Sequence, residues 1–556
     1  MKYVKLFVSV LLLLVLLMLF LLLPGYLASN KQDEGAASEF RNYIENMIPG
    51  RRQPKQTTAQ EDTKDKEYGV STSSTYATEI GEKVLKEGGN AVDAAVAVSY
   101  ALAVTEPYAS GLGGGGGMMI YDPDEDQYHG LNYRDSAPIS QSTMEEPTGV
   151  PTFVRGMEEA SQSYGTIPME KLIEPTIQLG EKGFEVSSVF STYINIYDYF
   201  LADNSDYLDE KGDLLSEGET MQPKNMIETL KKIRDEGADA YYSGEIADEI
   251  VDKTWLTYKD LQSARVEDVE PVVTSINDNE YATLPAPFSG VTLIQMLKLA
   301  ERMDLPDPQQ QTDDYLEKYS RLKQLAYKDR VSNMGDPDFD DIDSQEMVED
   351  SYIDNLADSS QEIVQPGETE VDSTNTTHFS IIDSEGMVVS ATSTLGNFYG
   401  SEIEAGGFYL NAANRLFAKS DKGKNKYEAG KKPRNFTAPT IIQTSDQDAI
   451  AIGTPGGNMI PQFLFQVIND YFSYQTDLAE AVEQNRIYLD KEEHLIIEEN
   501  PERNDRIPVK SIGDIPFSFR NSDEYFGSVQ IVEKEKGGNV HGSYDSRRHG
   551  AVGETE

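Results

Sequence analysis

Between Asn375 and Gly396 the chain carries two β-prone runs, Asn375-Thr376-Thr377-His378-Phe379-Ser380-Ile381-Ile382 and Met387-Val388-Val389-Ser390-Ala391-Thr392-Ser393-Thr394-Leu395-Gly396. Asp383-Ser384-Glu385-Gly386 lies between them, with the residue types that turn a chain back on itself. The block therefore reads as a β-hairpin. With the turn centred on Glu385, the numbers of paired residues sum to 770. Thr376 is then expected opposite Thr394, with Cβ atoms about 5 Å apart. A one-residue slip would undo that pairing.

Two hydroxyls meeting at the open end of a hairpin have a chemical use. A threonine hydroxyl is a weak nucleophile and needs a base. If the chain is cut after Asn375, the new α-amino group of Thr376 titrates near about 8 and can act as that base. Thr394 can then orient the amine or the nucleophile. Taken alone, the two threonines are equally ordinary strand residues.

The flanking sequence bears on the cut. From Asp336 to Asn375 acidic residues accumulate among few large apolar ones, and this reads as an exposed, mobile segment before a core strand. A chain can be severed there without loss of its fold. Gly453-Thr454-Pro455-Gly456-Gly457-Asn458 follows the strand-like Ala449–Ile452, and adjacent glycines can aim backbone N–H groups at a developing oxyanion. A plain Pro-Gly-Gly turn is the alternative. The Gly113–Gly117 run lacks the Lys-Ser/Thr pair of a phosphate loop and precedes a strand. Helical periodicity runs through Thr75–Lys86 and Ala91–Val104, the second capped by Asn90, and through Met157–Tyr164 and Met226–Glu236.

Composition excludes several function classes. A net charge of −48 argues against nucleic acid as a partner. The absence of cysteine removes thiolate catalysis and disulfides, and the five histidines show no ligand spacing, so no metal site is expected. Lys2 and Lys5 precede an apolar run from Leu6 to Leu23, eighteen residues broken only by Ser9. At helical rise it spans about 27 Å, close to a bilayer core. A transmembrane helix is expected over 1–23, with the two lysines inside and the catalytic domain extracytoplasmic; cleavage of this segment would instead release a secreted protein. Residues 24–66 read as a polar linker.

The hairpin block, with several others, resembles the γ-glutamyltransferase (γ-glutamyltranspeptidase) family of N-terminal-nucleophile hydrolases. Matching blocks are Gly88-Gly89-Asn90-Ala91-Val92-Asp93-Ala94-Ala95-Val96-Ala97, Leu112-Gly113-Gly114-Gly115-Gly116 and Tyr133-Arg134-Asp135-Ser136-Ala137-Pro138. Asp329-Arg330, Gly335-Asp336-Pro337-Asp338-Phe339 and Ala438-Pro439-Thr440-Ile441 continue the match. The resemblance implies an α+β fold, an αββα sandwich built jointly by a large subunit (67–375) and a small one (376–556). It implies self-cleavage between Asn375 and Thr376, with the two fragments staying associated. Thr376 would be the nucleophile, Thr394 its partner, Gly456 and Gly457 the oxyanion hole, and Arg134 and Arg547 the groups that bind substrate carboxylate. No cofactor is implied. The substrate would be a γ-glutamyl amide, and water or an amine the acceptor.

The departures from the family pattern concern the substrate. Gly396 stands where the family has Asn, Leu416 where an acid would hold a free α-amino group, and Asn435-Phe436 where the family has Ser-Ser. The segment Ala418–Gly430, which lids the site in the family, is short. These changes resemble the capsule-depolymerase branch, which acts on poly-γ-glutamate. Arg415, Lys419, Lys422, Lys424, Lys426, Lys431, Lys432 and Arg434 form a basic island that would attract a polyanion, or else a solvated loop. The expected function is thus a cell-surface poly-γ-glutamate hydrolase/transpeptidase. The alternatives are a conventional γ-glutamyltransferase on glutathione-like compounds, and a non-enzymatic surface-binding protein that keeps the fold.

Overall fold

The computed structural model describes residues 68–144, 146–359, 375–420, 423–508, 515–521, 523–548 and 550–553. The expected anchor at 1–23 and linker at 24–66 lie outside these residues. Among the described residues, no helix is long and apolar enough to cross a membrane.

Two sheets stack face to face. The first runs, edge to edge, through Ala551–Gly553, Gly69–Thr72, Asn375–Ile382, Val388–Gly396, Gly115–Asp122, Gln127–Tyr133 and Glu267–Val269. The second runs through Val540–Tyr544, Gln530–Lys534, Ala449–Gly453, Thr440–Gln443, Asn279–Thr283 and Val272–Ile276. All neighbours in both are antiparallel. Strands from both sides of Asn375 contribute to each sheet.

Three apolar layers follow from this stacking. Met119, Leu284, Phe288, Ile441, Ala451 and Val532 fill the space between the sheets. Helices Thr75–Lys86 and Ala91–Thr105 cover the outer face of the first sheet, packing Val92, Val96 and Tyr100 among Phe379, Ile381 and Val389. Helices Gly290–Arg302, Thr312–Asn333 and Ile460–Ser473 cover the second, with Leu293, Leu322 and Leu464 in the core. The αββα sandwich is therefore present. Ala91–Thr105 is buried on every side, as its nearly unbroken Ala/Val composition requires. Its start is set by a capping box in which Asn90 and Asp93 exchange side-chain and backbone hydrogen bonds.

The first part of the acid-rich segment differs from its expected mobility, and residues 360–374 of it lie outside the described residues. Residues 336–358 are folded, with a helix at Asp350–Asp358 that buries Ile353. Several of the acids there have partners. Asp350 bonds Lys298 at 3.0 Å, Asp354 bonds Arg302 at 2.6 Å, and Asp336 accepts the Lys432 backbone N–H at 2.7 Å. Pairing removes the like-charge repulsion that would otherwise keep such a stretch open.

Candidate active site

The hairpin forms with the expected register over six pairs, from Val388↔Ile382 to Ser393↔Thr377. Asp383 closes its turn, accepting the Gly386 and Met387 N–H groups at 2.9 Å each, and also the Ala91 N–H at 2.9 Å. Beyond Ser393 the ladder breaks into a bulge, so that Gly396 pairs with Asn375. Such a bulge bends its strand and re-aims side chains. Thr376 and Thr394 both line one pocket there. Its other lining residues are Arg134, Arg330, Leu416, Arg434, Asn435, Phe436, Thr437, Gly457 and Ile460. Thr394 Oγ1 accepts the Gly396 N–H at 2.9 Å. That bond occupies a lone pair of the hydroxyl oxygen.

The glycine run is explained by close backbone approach. Gly115, Gly116 and Gly117 pair with Thr394, Ser393 and Thr392 in the neighbouring strand. A Cβ on Gly114 would lie 2.3 Å from the Thr394 carbonyl oxygen. The loop after Ala449–Gly453 turns through Gly456 (φ 136°) and Gly457 (φ 57°), values that favour glycine. Gly457 lines the pocket, whereas Gly456 precedes it in the chain and is not a lining residue.

Arg134 is fully buried and bonds the Asp135 carboxylate through Nη1. Its Nε and Nη2 have no hydrogen-bond partner among the described residues, although both are buried. An unmet guanidinium edge of this kind suits a bidentate carboxylate. Burial pushes Asp135 up to about 7 against the pull of Arg134.

Arg547 is not brought to the pocket. It donates to Glu498 Oε1 and Oε2 at 2.8 and 2.7 Å, to Asp545 at 2.9 Å, and to the Val482 and Gln484 carbonyls at 3.1 and 2.7 Å. A guanidinium has five N–H donors, and these bonds use them all. Its expected role as a carboxylate binder is replaced by a structural one, in which it ties the C-terminal segment to the domain. Burial would raise Asp545, but Arg486 and Arg547 hold it down at about 2. The neighbouring Arg548 is the one that reaches Thr376, with Nη1 3.5 Å from its carbonyl oxygen.

Two further arginines enter the pocket that sequence reasoning had not assigned to it. Arg330 bonds Ser289 Oγ at 3.0 Å and the Asn435 carbonyl at 2.6 Å, and lies 4.0 Å over the Phe436 ring. Arg434 donates to the Arg330, Val331 and Met334 carbonyls at 3.0, 2.9 and 3.2 Å, capping the end of helix Thr312–Asn333. Both lie in blocks with a visible sequence signal, Asp329-Arg330 and the basic island. Part of that island, however, is used internally. Lys431 is buried against Asp340 and Glu428, and Lys432 against Glu267. Lys424 bonds the Asp341 carbonyl, and only Arg415 and Lys419 are exposed among its described residues.

The gamma-glutamyltranspeptidase family model matches residues 77–555. The chain is 37% identical over 486 residues to the capsule biosynthesis protein CapD proenzyme of Bacillus anthracis, covering 87% of this chain and 90% of that one. It is 31% identical over 534 residues to the glutathione hydrolase proenzyme of Bacillus subtilis (strain 168), with the same two coverages, 87% and 90%. Cephalosporin acylase from Bacillus halodurans shares the fold, with a TM-score of 0.78 at 23% identity, covering 92% of this chain and 98% of that one.

Proposed function

The chain belongs to the gamma-glutamyltranspeptidase family of enzymes, and from that premise we propose that it cuts itself between Asn375 and Thr376 and then cleaves γ-glutamyl amide bonds in poly-γ-glutamate. In the first step Thr376 Oγ1 attacks the Asn375 carbonyl. The peptide C–N bond breaks as the ester forms, and water hydrolyses the ester to leave a free amine on Thr376. In turnover that amine takes the hydroxyl proton as Oγ1 attacks the γ-carbonyl of the substrate. The oxyanion is met by N–H groups of the Gly456-Gly457 turn, and the leaving amine departs with the proton. Water or an amine then resolves the threonyl ester.

One observation carries the choice of polymer. Among the described residues the pocket is lined by Arg134, Arg330 and Arg434 and by no carboxylate, with Leu416 and Phe436 as apolar wall. Guanidinium groups suit the carboxylates of the chain. A free α-amino group would find no counter-charge there, and inside poly-γ-glutamate that group is already an amide. The 37% identity to the CapD proenzyme supports the same reading. The glutathione hydrolase proenzyme at 31% supports the second reading, a small γ-glutamyl substrate. We further place the enzyme at the outer cell surface, a location supported by the apolar Leu6–Leu23 run behind two lysines.

Two measurements test this. On a denaturing gel the purified protein should give two fragments meeting at Asn375/Thr376, and Thr376→Ala should give one uncut, inactive chain. Incubation with poly-γ-glutamate should release short oligomers while a γ-glutamyl anilide is turned over poorly. The opposite substrate preference would replace the polymer reading by the small-molecule one.

A further inference from the structure

The turn that would face the oxyanion runs through two glycines of positive φ, 136° at Gly456 and 57° at Gly457. Glycine makes that path possible, but it is also the residue with the widest choice of backbone conformations. A donor to a developing oxyanion is effective only when it is fixed before the charge appears. Gly457 lines the pocket with Thr376 and Thr394. Something beyond the glycines must hold their turn.

Both of its ends are tied from outside. On the entry side, Thr454 Oγ1 accepts the Ser528 N–H at 3.2 Å. On the exit side, the Met459 N–H closes back on the Gly456 carbonyl at 3.1 Å. Asn458, the residue after Gly457, is held twice. Its carbonyl accepts the Tyr327 hydroxyl at 2.5 Å, and its Nδ2 donates to the Tyr488 hydroxyl at 2.9 Å. Tyr327 comes from helix Thr312–Asn333. Its ring is clamped in turn. The Phe436 ring of the pocket wall lies 6.1 Å away, centroid to centroid, and Lys323 Nζ sits 5.0 Å from the Tyr327 ring on the same helix. Lys323 is anchored on the Asp490 carbonyl at 2.9 Å. Tyr327 and Tyr488 are not lining residues of the pocket, whereas Gly457 and Phe436 are.

We propose that Tyr327 is a positioning residue for the oxyanion turn, acting through the Asn458 carbonyl on the two glycines before it. Two tethers on one residue leave the short turn ahead of it little room, and a site keeps its geometry when the side chains behind it are themselves locked. Because the same ring packs on Phe436, the oxyanion turn and the pocket wall are held at one spacing. The inference rests on the reading of Gly456-Gly457 as the oxyanion site.

The test compares the full unaltered chain with Tyr327→Phe, which removes one hydroxyl and keeps the ring against Phe436. Tyr319→Phe is the control. It lies in the same helix, and its hydroxyl donates to Gln462 at 2.9 Å and does not touch the turn. The readouts are kcat and KM on whichever γ-glutamyl substrate the unaltered chain turns over, with the thermal midpoint as the check on folding. Positioning predicts that kcat falls about tenfold in Tyr327→Phe while KM stays within about twofold, and that Tyr319→Phe keeps kcat per folded molecule within about twofold. Unchanged kcat in Tyr327→Phe overturns the proposal. So does a raised KM at constant kcat, which would make Tyr327 a support of the binding wall alone, and so do equal kcat losses in the two variants, which would make the effect one of general packing. If Tyr327→Phe does not fold, Tyr488→Phe loosens the second tether on Asn458. A kcat loss at constant KM supports the proposal there, and full rates overturn it. An unaltered chain that is neither cut nor active would sink the proposed function and this inference with it. A cut, active chain indifferent to Tyr327→Phe would sink this inference alone.

Discussion

Arg134→Lys is the substitution that most sharply separates substrate binding from folding. The Arg134 guanidinium spends one nitrogen on Asp135, and its Nε and Nη2 in the pocket wall have no partner among the described residues. A substrate carboxylate docked on that edge would gain two charge-assisted bonds. Lysine keeps the positive charge beside Asp135 but can supply only one such contact. The loss is one hydrogen bond to a charged group, about 1.5–3 kcal/mol. At about 1.4 kcal/mol per factor of ten, KM should rise about 10- to 150-fold. The change in kcat should be smaller, because the contact is remote from the scissile bond. Stability should fall less than in Arg134→Met, where stranding the buried Asp135 costs about 3–5 kcal/mol. Steady-state kinetics on the preferred γ-glutamyl substrate, with urea unfolding alongside, measure both effects. Arg547→Lys is the control. All its donors serve Glu498, Asp545 and backbone carbonyls, so it should lose stability with KM unmoved. A KM for Arg134→Lys within twofold of the unaltered protein would refute the carboxylate role.

Three other outcomes are expected. Gly114→Ala would push a Cβ to 2.3 Å from the Thr394 carbonyl; the strand must shift, so kcat should fall about 10- to 100-fold with stability down by about 1–3 kcal/mol, and normal kcat in the cleaved variant would contradict the close-approach argument. His378 is fully buried between Thr392 Oγ1 at 2.8 Å and Ser380 Oγ at 3.3 Å, and burial lowers it to about 3. Its folded value lies below the unfolded one, so its contribution is complete above about pH 6.5 and is lost by about 1.4 kcal/mol per unit as pH falls toward 3. Unfolding at pH 7, 6 and 5 should show a shallower decline in His378→Gln, and parallel declines would exclude the effect. Leu416→Asp places a carboxylate in a pocket wall that has none; KM for a γ-glutamyl anilide with a free α-amino group should drop about tenfold and KM for the polymer should rise, and no shift in preference would mean that residue 416 does not meet the amino group.

The basic island shows how a correct composition signal can mislead about place. Eight cations close in sequence look like a polyanion lure, but Lys431, Lys432 and Arg434 point inward and meet carboxylates or carbonyls. Net charge along a segment does not say which face it takes. The acid-rich 336–358 segment failed in the complementary way. Its partners, Lys298, Arg302 and Lys432, lie 52 to 96 residues away, and no local pattern announces them.

Local features, by contrast, were legible. The Asp383–Gly386 turn set the register of the hairpin over its first six pairs. Asn90 and Asp93 marked a helix start through contacts three residues apart. The sequence by itself therefore determined the strand that carries Thr376, its partner strand and the glycines beside them. Only the tertiary structure decided that the ladder breaks at Thr394 into a bulge, that Arg330 and Arg434 join Arg134 around the pocket, and that Arg548 and not Arg547 touches Thr376. Those outcomes depend on strands and helices from opposite ends of the chain meeting in one sandwich, and adjacent residues such as 547 and 548 can face opposite ways once they do.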